Sequence, residues 1–277
     1  METLTIEQKT RQGEYALASG ADAVRRLFLL HSIYGPAGRS LLVRAGLQPG
    51  MHIADFGCGV GAVTRMLAEM AGPAGRVTGI DASVAQIEQA EEICRAHGLE
   101  NAVFRAADAC NTGLPRHSFD LAYCRFLLLH LPDPAGCLRE MRRVLKPGGI
   151  LVIEDGDLAS AHSVPPTALN AFAELFGRLG PLRGLDYSIA NHLFHLVKDA
   201  GFDDLGIEIH QPAGCAGAHG HLLTWSVAEA GPSFVNAGLI TSRDLEHTLD
   251  EMEAAASDPN VLALAPRMSL VWARKPQ

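Results

Sequence analysis

Two kinds of residue in this chain are arranged for ligand chemistry: closely spaced glycines, and aspartates that end short apolar runs. The segment Asp55-Phe56-Gly57-Cys58-Gly59-Val60-Gly61 separates one such run from a stripe of Val63, Met66, Leu67 and Met70 at helical spacing. A strand that turns through glycines into a helix lets the backbone approach a ligand closely, and the helix start adds unpaired N–H donors. Asp81 ends a second run, where an acid accepts hydrogen bonds from ribose hydroxyls. Asp108 follows a third, where a carboxylate can accept from an adenine amino group. Taken alone, either aspartate reads equally well as a solvated strand end or a helix cap. Gly57, Gly59 and Ala62 also satisfy the loose dinucleotide pattern, which keeps an NAD(P)-dependent oxidoreductase open. Asp55 leans the other way, since a carboxylate two residues before Gly57 suits a cationic amino group and repels a pyrophosphate.

The elements that must hold these residues follow from periodicity. Met51–Phe56, Arg76–Asp81, Asn101–Ala106, Phe119–Cys124 and Ile150–Glu154 read as strands. Helices are expected between them: after Gly61 up to the Gly72-Pro73 break, from a Ser83/Gln86 capping box to about Ala96, and along Leu138, Met141 and Leu145. Strands alternating with helices predict an α/β fold with a parallel sheet covered on both faces. After Asp157 the rhythm changes to helices, a strand over Leu205–His210, a mostly helical stretch over residues 216–257 and a closing strand over Met268–Ala273. Residues 5–34 read as a helical lead-in. The expected division is a lid over 1–35, a cofactor-binding core over 36–157, and the rest of the sheet with a substrate cap over 158–277, all in one overall domain.

Composition narrows the function class. The chain has 277 residues and a formal charge of -8, a balance that argues against nucleic-acid and anionic-membrane partners. No apolar run approaches the ~20 residues that span a bilayer. There is no basic-then-apolar leader at Met1, and the six cysteines form no Cys-x-x-Cys pair. They read as reduced cytoplasmic thiols, not as a disulfide framework or zinc site.

With these pieces in order, the chain resembles the class I S-adenosylmethionine-dependent methyltransferases. The matching segments are Asp55-x-Gly57-x-Gly59-x-Gly61, Ile80-Asp81-Ala82-Ser83, Ala107-Asp108-Ala109, Phe119-Asp120 and Leu145-Lys146-Pro147-Gly148-Gly149. The resemblance implies a doubly wound, mostly parallel seven-stranded Rossmann-like sheet with a helical cap, and S-adenosylmethionine as cofactor. It implies that Gly57, Cys58 and Gly59 line the methionine moiety with Asp55 near its amino group. It places Asp81 on the ribose, Ala82 beside the adenine, Asp108 and Ala109 at the adenine amino group, and Arg125 at the methionine end. Glu14-Tyr15-Ala16-Leu17 looks like the N-terminal lid of small-molecule members, with Tyr15 on the cofactor.

Methyl transfer asks the protein mainly for proximity and alignment, and an oxygen acceptor also benefits from a general base. His130, just past the fourth strand, is the candidate base, against a structural histidine packed under its loop. Glu154 and Asp155 end the fifth strand at the same edge, as acceptor contacts or as caps. His192 with His195, and His219 with His221, have ligand-like spacing but no obvious third partner, so no metal is expected. Phe172, Phe176, Phe194, Trp225 and Phe234 offer apolar surface for a small organic acceptor, or simply fill the core. A cofactor-binding protein that no longer methylates is a further alternative.

Overall fold

The computed structural model describes residues 21–277. Tyr15 lies outside the described residues. The chain enters as helix α1 (Ala21–Ala45) and then alternates: β1 (His52–Phe56), α2 (Ala62–Ala71), β2 (Arg76–Asp81), α3 (Val84–Ala96), β3 (Ala102–Ala106), β4 (Phe119–Arg125), α4 (Pro134–Val144) and β5 (Leu145–Asp157). The second half adds β6 (His162–Val164), α5 (Ala171–Arg183), α6 (Leu193–Asp199), β7 (Asp203–His210) and β8 (Ala213–Cys215). It ends with α7 (Ala218–Asn236), α8 (Ser242–Ser257), β9 (Leu262–Leu264) and β10 (Arg267–Arg274).

Seven strands form one sheet in the order β3-β2-β1-β4-β5-β10-β7, parallel except for the antiparallel β10. This is the parallel sheet that the alternation predicts, in the doubly wound, seven-stranded form that the resemblance implies. Because side chains alternate across a strand, each central strand feeds two cores. Ile53, Leu121, Tyr123, Ile150 and Val152 point to the layer under α1 and α2. Ala54, Ala122, Cys124, Leu151 and Ile153 point to the layer under α4 and the later helices. Both sets are essentially inaccessible to water, which explains why these strands read as continuous apolar runs.

Three features depart from the sequence expectation. Helix α1 continues to Ala45, past the expected end at residue 34, although Pro36 lies inside it. Tyr34, Leu41, Leu42 and Ala45 form one continuous buried stripe, and that packing outweighs the missing N–H of the proline. Strand β5 runs thirteen residues, from Leu145 through the glycines to Asp157, because β10 pairs along most of it. The three-residue strands β6, β9 and β8 make a separate small sheet that no periodicity could announce, since three residues carry no period.

The caps agree with the sequence more closely. The Ser83 hydroxyl accepts from Gln86 N–H at 3.4 Å, and Thr241 from Asp244 N–H at 3.1 Å. Asp133 caps α4 by accepting from Gly136 N–H at 2.8 Å.

On α4, buried Glu140 gathers three partners: the N–H of Thr112 at 2.9 Å, the Thr112 hydroxyl, and Arg143 at 2.6 Å. Burial pulls its carboxyl upward, but Arg143 and Thr112 outweigh that and hold it at about 2. A carboxylate depressed in the folded state stabilises above its unfolded pKa, and loses that contribution as the pH falls through the folded one. Glu140→Ala should therefore cost ~2–3 kcal/mol at neutral pH, by urea denaturation, with the difference shrinking as pH approaches 2. A cost independent of pH would show that only packing is lost.

Candidate active site

The parallel register decides which residues meet. Phe56 of β1 lies beside Ile80 of β2, so the glycine loop after β1 comes down onto the end of β2. There the Asp81 carboxylate accepts from Gly59 N–H and from Ser83 N–H, each at 2.9 Å. The glycines are required: Gly57 and Gly59 have φ of +68° and +54°, and a Cβ on Gly57 would sit 2.8 Å from the Leu127 side chain. Across β1, strand β4 ends at Arg125, and the next residue, Phe126, is held at a φ of 50°. A bulky residue in that region is strained, and here it holds the chain against Glu154 O at 2.9 Å.

These edges line a partly open pocket. Its floor holds Gly57, Gly59, Asp81 and Arg125 together. Helix α1 supplies Arg26, Leu27, Leu30 and Tyr34 as one wall. His130, Phe172 and Phe176 lie on another side. The wall helix is anchored at two points. Arg26 pairs with Glu229 of α7, both side chains nearly buried, and Tyr34 donates to Pro266 O at 2.8 Å.

Arg125 is the informative side chain. It is 9% exposed, its Nη2 lies 3.1 Å from His31 Nδ1, and its Nη1 is buried with no hydrogen-bond partner among the described residues. Burial and then the Arg125 charge push His31 down to about 4, so the imidazole is neutral and can accept from the guanidinium. A buried guanidinium N–H left open at a pocket wall is suited to an anionic oxygen, such as the carboxylate of an amino acid. Asp81, its own pKa raised chiefly by burial, offers acceptor capacity for hydroxyls on the same floor.

Several expected residues stand elsewhere. Asp55 is 1% exposed and is not part of the pocket lining; its carboxylate accepts from the Thr64 hydroxyl at 2.6 Å. Cys58 is buried beneath the loop, its Sγ directed to Gly59 O at 3.7 Å. Ala82 is exposed and Ala109 buried, both outside the lining. Asp108 is exposed and turned into its own turn, accepting from Cys110 N–H at 2.8 Å. Glu154 binds the Tyr123 hydroxyl at 2.7 Å, and Asp155 accepts from Leu128 N–H at 2.8 Å, so neither lines the pocket. Asp155 instead fixes the short turn Leu128–His130, which presents His130.

Of the five aromatics expected as a roof, Phe172 and Phe176 line the pocket. Phe234 backs Phe176 with ring centroids 5.1 Å apart, and Trp225 carries Arg25 over its face at 4.3 Å. The paired histidines go separate ways: His192 to Asp186 at 3.1 Å, His221 to Glu253 at 3.3 Å.

Comparison with known proteins follows the same residues. Residues 47–180 match the family described as a methyltransferase domain. That match covers just under half of the chain. A cycloartenol-C-24-methyltransferase from Arabidopsis thaliana is 37% identical over 165 residues, covering 59% of this chain and 48% of the relative. The chain thus spans about half the length of the curated relatives it matches. Phosphoethanolamine N-methyltransferase 2 from Haemonchus contortus superposes with a TM-score of 0.62 at 17% identity, over 99% of this chain and 61% of that one. The [4+2]-cyclase SpnF superposes at 0.52 with 22% identity, over 94% and 85%. At these identities the two structures speak for the fold alone.

Among the residues lining the pocket, those missed in the sequence are instructive. Gln86 turns into the pocket rather than back over its helix start. Arg26, Leu27, Leu30 and Tyr34 recur at helical spacing, but nothing in a single sequence separates such a stripe from ordinary core.

Buried Asp55 supplies a pH test. Burial, resisted by Thr64 and Arg125, raises its carboxyl from 3.8 to about 7. The folded chain thus keeps a proton that the unfolded chain releases. The associated stability is complete below the unfolded value and lost as pH rises through about 7. Relative to Asp55→Asn, the natural chain should lose on the order of 2–4 kcal/mol between acid and mildly alkaline pH. Urea melts of both proteins across that range measure it; parallel curves would contradict an elevated Asp55 pKa.

Proposed function

We propose that this chain transfers a methyl group from S-adenosylmethionine to an oxygen, nitrogen or carbon of a small organic acceptor. The observation that carries the reading is the pocket floor, where the open Nη1 of Arg125 and the acceptor oxygens of Asp81 flank a glycine cradle. That donor set fits an amino-acid carboxylate at one end and ribose hydroxyls at the other. The cofactor, when bound, supplies an electrophilic methyl on a sulfonium. Arg125 binds the carboxylate, Asp81 orients the ribose, and Gly57 and Gly59 permit close backbone approach. Leu27, Leu30, Phe172 and Phe176 keep water from the acceptor. The named relatives act on chemically unlike acceptors, so the acceptor is set by the walls and not by the floor. The cyclase among the structural neighbours keeps a non-methylating use of the same pocket as the second reading.

The acceptor is read as a small molecule, with no nucleic-acid or membrane partner. No helix among the described residues is long and apolar enough to cross a membrane. All six cysteines are free thiols, which supports a cytoplasmic location.

Asp81→Ala should weaken S-adenosylhomocysteine binding by ~1.5–3 kcal/mol in calorimetry, through loss of a charged acceptor. Gly59→Val should abolish it by filling the cradle beside Gln86 and Leu27. Unchanged affinity in both would remove the glycine floor from the site.

His130 lines the pocket with its ring 5.7 Å from that of Tyr187. Burial first, then Arg26 and Arg183, press its imidazole down to about 4. It is neutral at pH 7, and its low basicity limits full proton abstraction. For a hydroxyl acceptor, His130→Ala should lower turnover by ~10²-fold or more while cofactor affinity and melting temperature hold. Normal turnover would eliminate the base, and collapsed stability would return His130 to a packing role.

A further inference from the structure

At the sheet edge opposite the active site, where β4 and β5 begin and β10 ends, the chain collects cations. Arg116, His117, Arg139, Arg142, Arg143 and Lys275 line an open pocket of about 580 Å³. No carboxylate is among its described lining residues, in a chain whose formal charge is -8. Two of the guanidiniums already have acids: Arg139 pairs with Asp133 at 3.1 Å, and Arg143 with Glu140 at 2.6 Å. Arg116, Arg142 and Lys275 have no ion pair among the described residues. Arg142 gives its Nε to Gly201 O at 3.1 Å, which leaves its terminal NH₂ groups uncommitted. Lys275 is 8% exposed and donates to Leu145 O at 2.6 Å, with two further N–H groups available.

These groups feel one another. Burial and then Arg142 and Arg116 lower the Lys275 ammonium, while Lys275 is the foremost cause lowering His117. Like charges gathered at a concave surface repel, and an anion seated among them relieves that cost. Forked guanidiniums beside a point-charge ammonium match the tetrahedral oxygens of a phosphoryl group.

We propose that this pocket binds a phosphoryl-bearing small anion, with Arg116, Arg142 and Lys275 as its charged donors. It lies at the other end of the strands from the glycine loop and is independent of the methyl-transfer reading.

The test is calorimetric titration of the full chain with inorganic phosphate and with pyrophosphate, at fixed ionic strength in a zwitterionic buffer. Saturable binding is expected, and Arg116→Gln with Arg142→Gln should weaken it tenfold or more. Tighter pyrophosphate binding would point to a diphosphate ligand, and equal affinities to a single phosphoryl group. Arg125→Gln should leave the affinity unchanged, since a loss there would move the anion to the active-site pocket and overturn the proposal. Absence of saturation through the millimolar range, or equal affinity in the double variant, would also overturn it. If the double variant fails to fold, exposed Arg116→Gln alone decides, with equal affinity again counting against the site.

Discussion

The Asp81 carboxylate joins the glycine loop to the second strand, and the pocket takes its shape from that joint. One oxygen holds Gly59 N–H and the other Ser83 N–H, so a single side chain sets both the loop and the start of α3. The joint exists because β1 and β2 pair in parallel, with Asp55 beside Gly79 and Phe56 beside Ile80. Gly79 has no side chain to hold Cys58 or Phe104 away, and a Cβ there would approach the Phe104 ring to 2.7 Å. Close packing under the loop and its exposure to a ligand are two consequences of one register.

Around that joint the protein places more carboxyls than cations. Asp55, Glu154 and Asp155 are fully or almost fully buried, and burial raises each of them. Their roles are internal: Asp55 holds Thr64, Glu154 holds Tyr123, and Asp155 fixes the turn that carries His130. Arg125 is the cation on the pocket floor, and its field lowers both Asp55 and Glu154 against the effect of burial. Its unpartnered Nη1 is therefore the place where an incoming anion gains most.

The walls come from a different logic. Helix α1 reaches the pocket through Arg26, Leu27, Leu30 and Tyr34, and is held by Glu229 and by Pro266 O. Those partners lie more than two hundred residues later in the chain. The wall on that side thus depends on contacts between the two ends of the described chain.

The parallel sheet was legible because its strands are apolar on both faces and bounded by glycine or by aspartate. Gly57, Gly59, Asp81 and Arg125, named in the sequence, meet at one pocket because each sits at a strand end or just past it, where local sequence and topology coincide. The sequence could not say that Asp55 turns inward to Thr64 or that Asp108 folds into its own turn at Cys110, since a carboxylate at a strand end serves a ligand or a nearby donor with the same local pattern. Nor could it tell Phe172 and Phe176 from Phe234, because a lining aromatic and a core aromatic share one periodicity. The basic pocket joins residues 116–143 to Lys275, brought together only by β10 running antiparallel beside β5. Spacing along the chain determines elements and their ends; only the tertiary structure decides which side chains, once buried, face a ligand and which face each other.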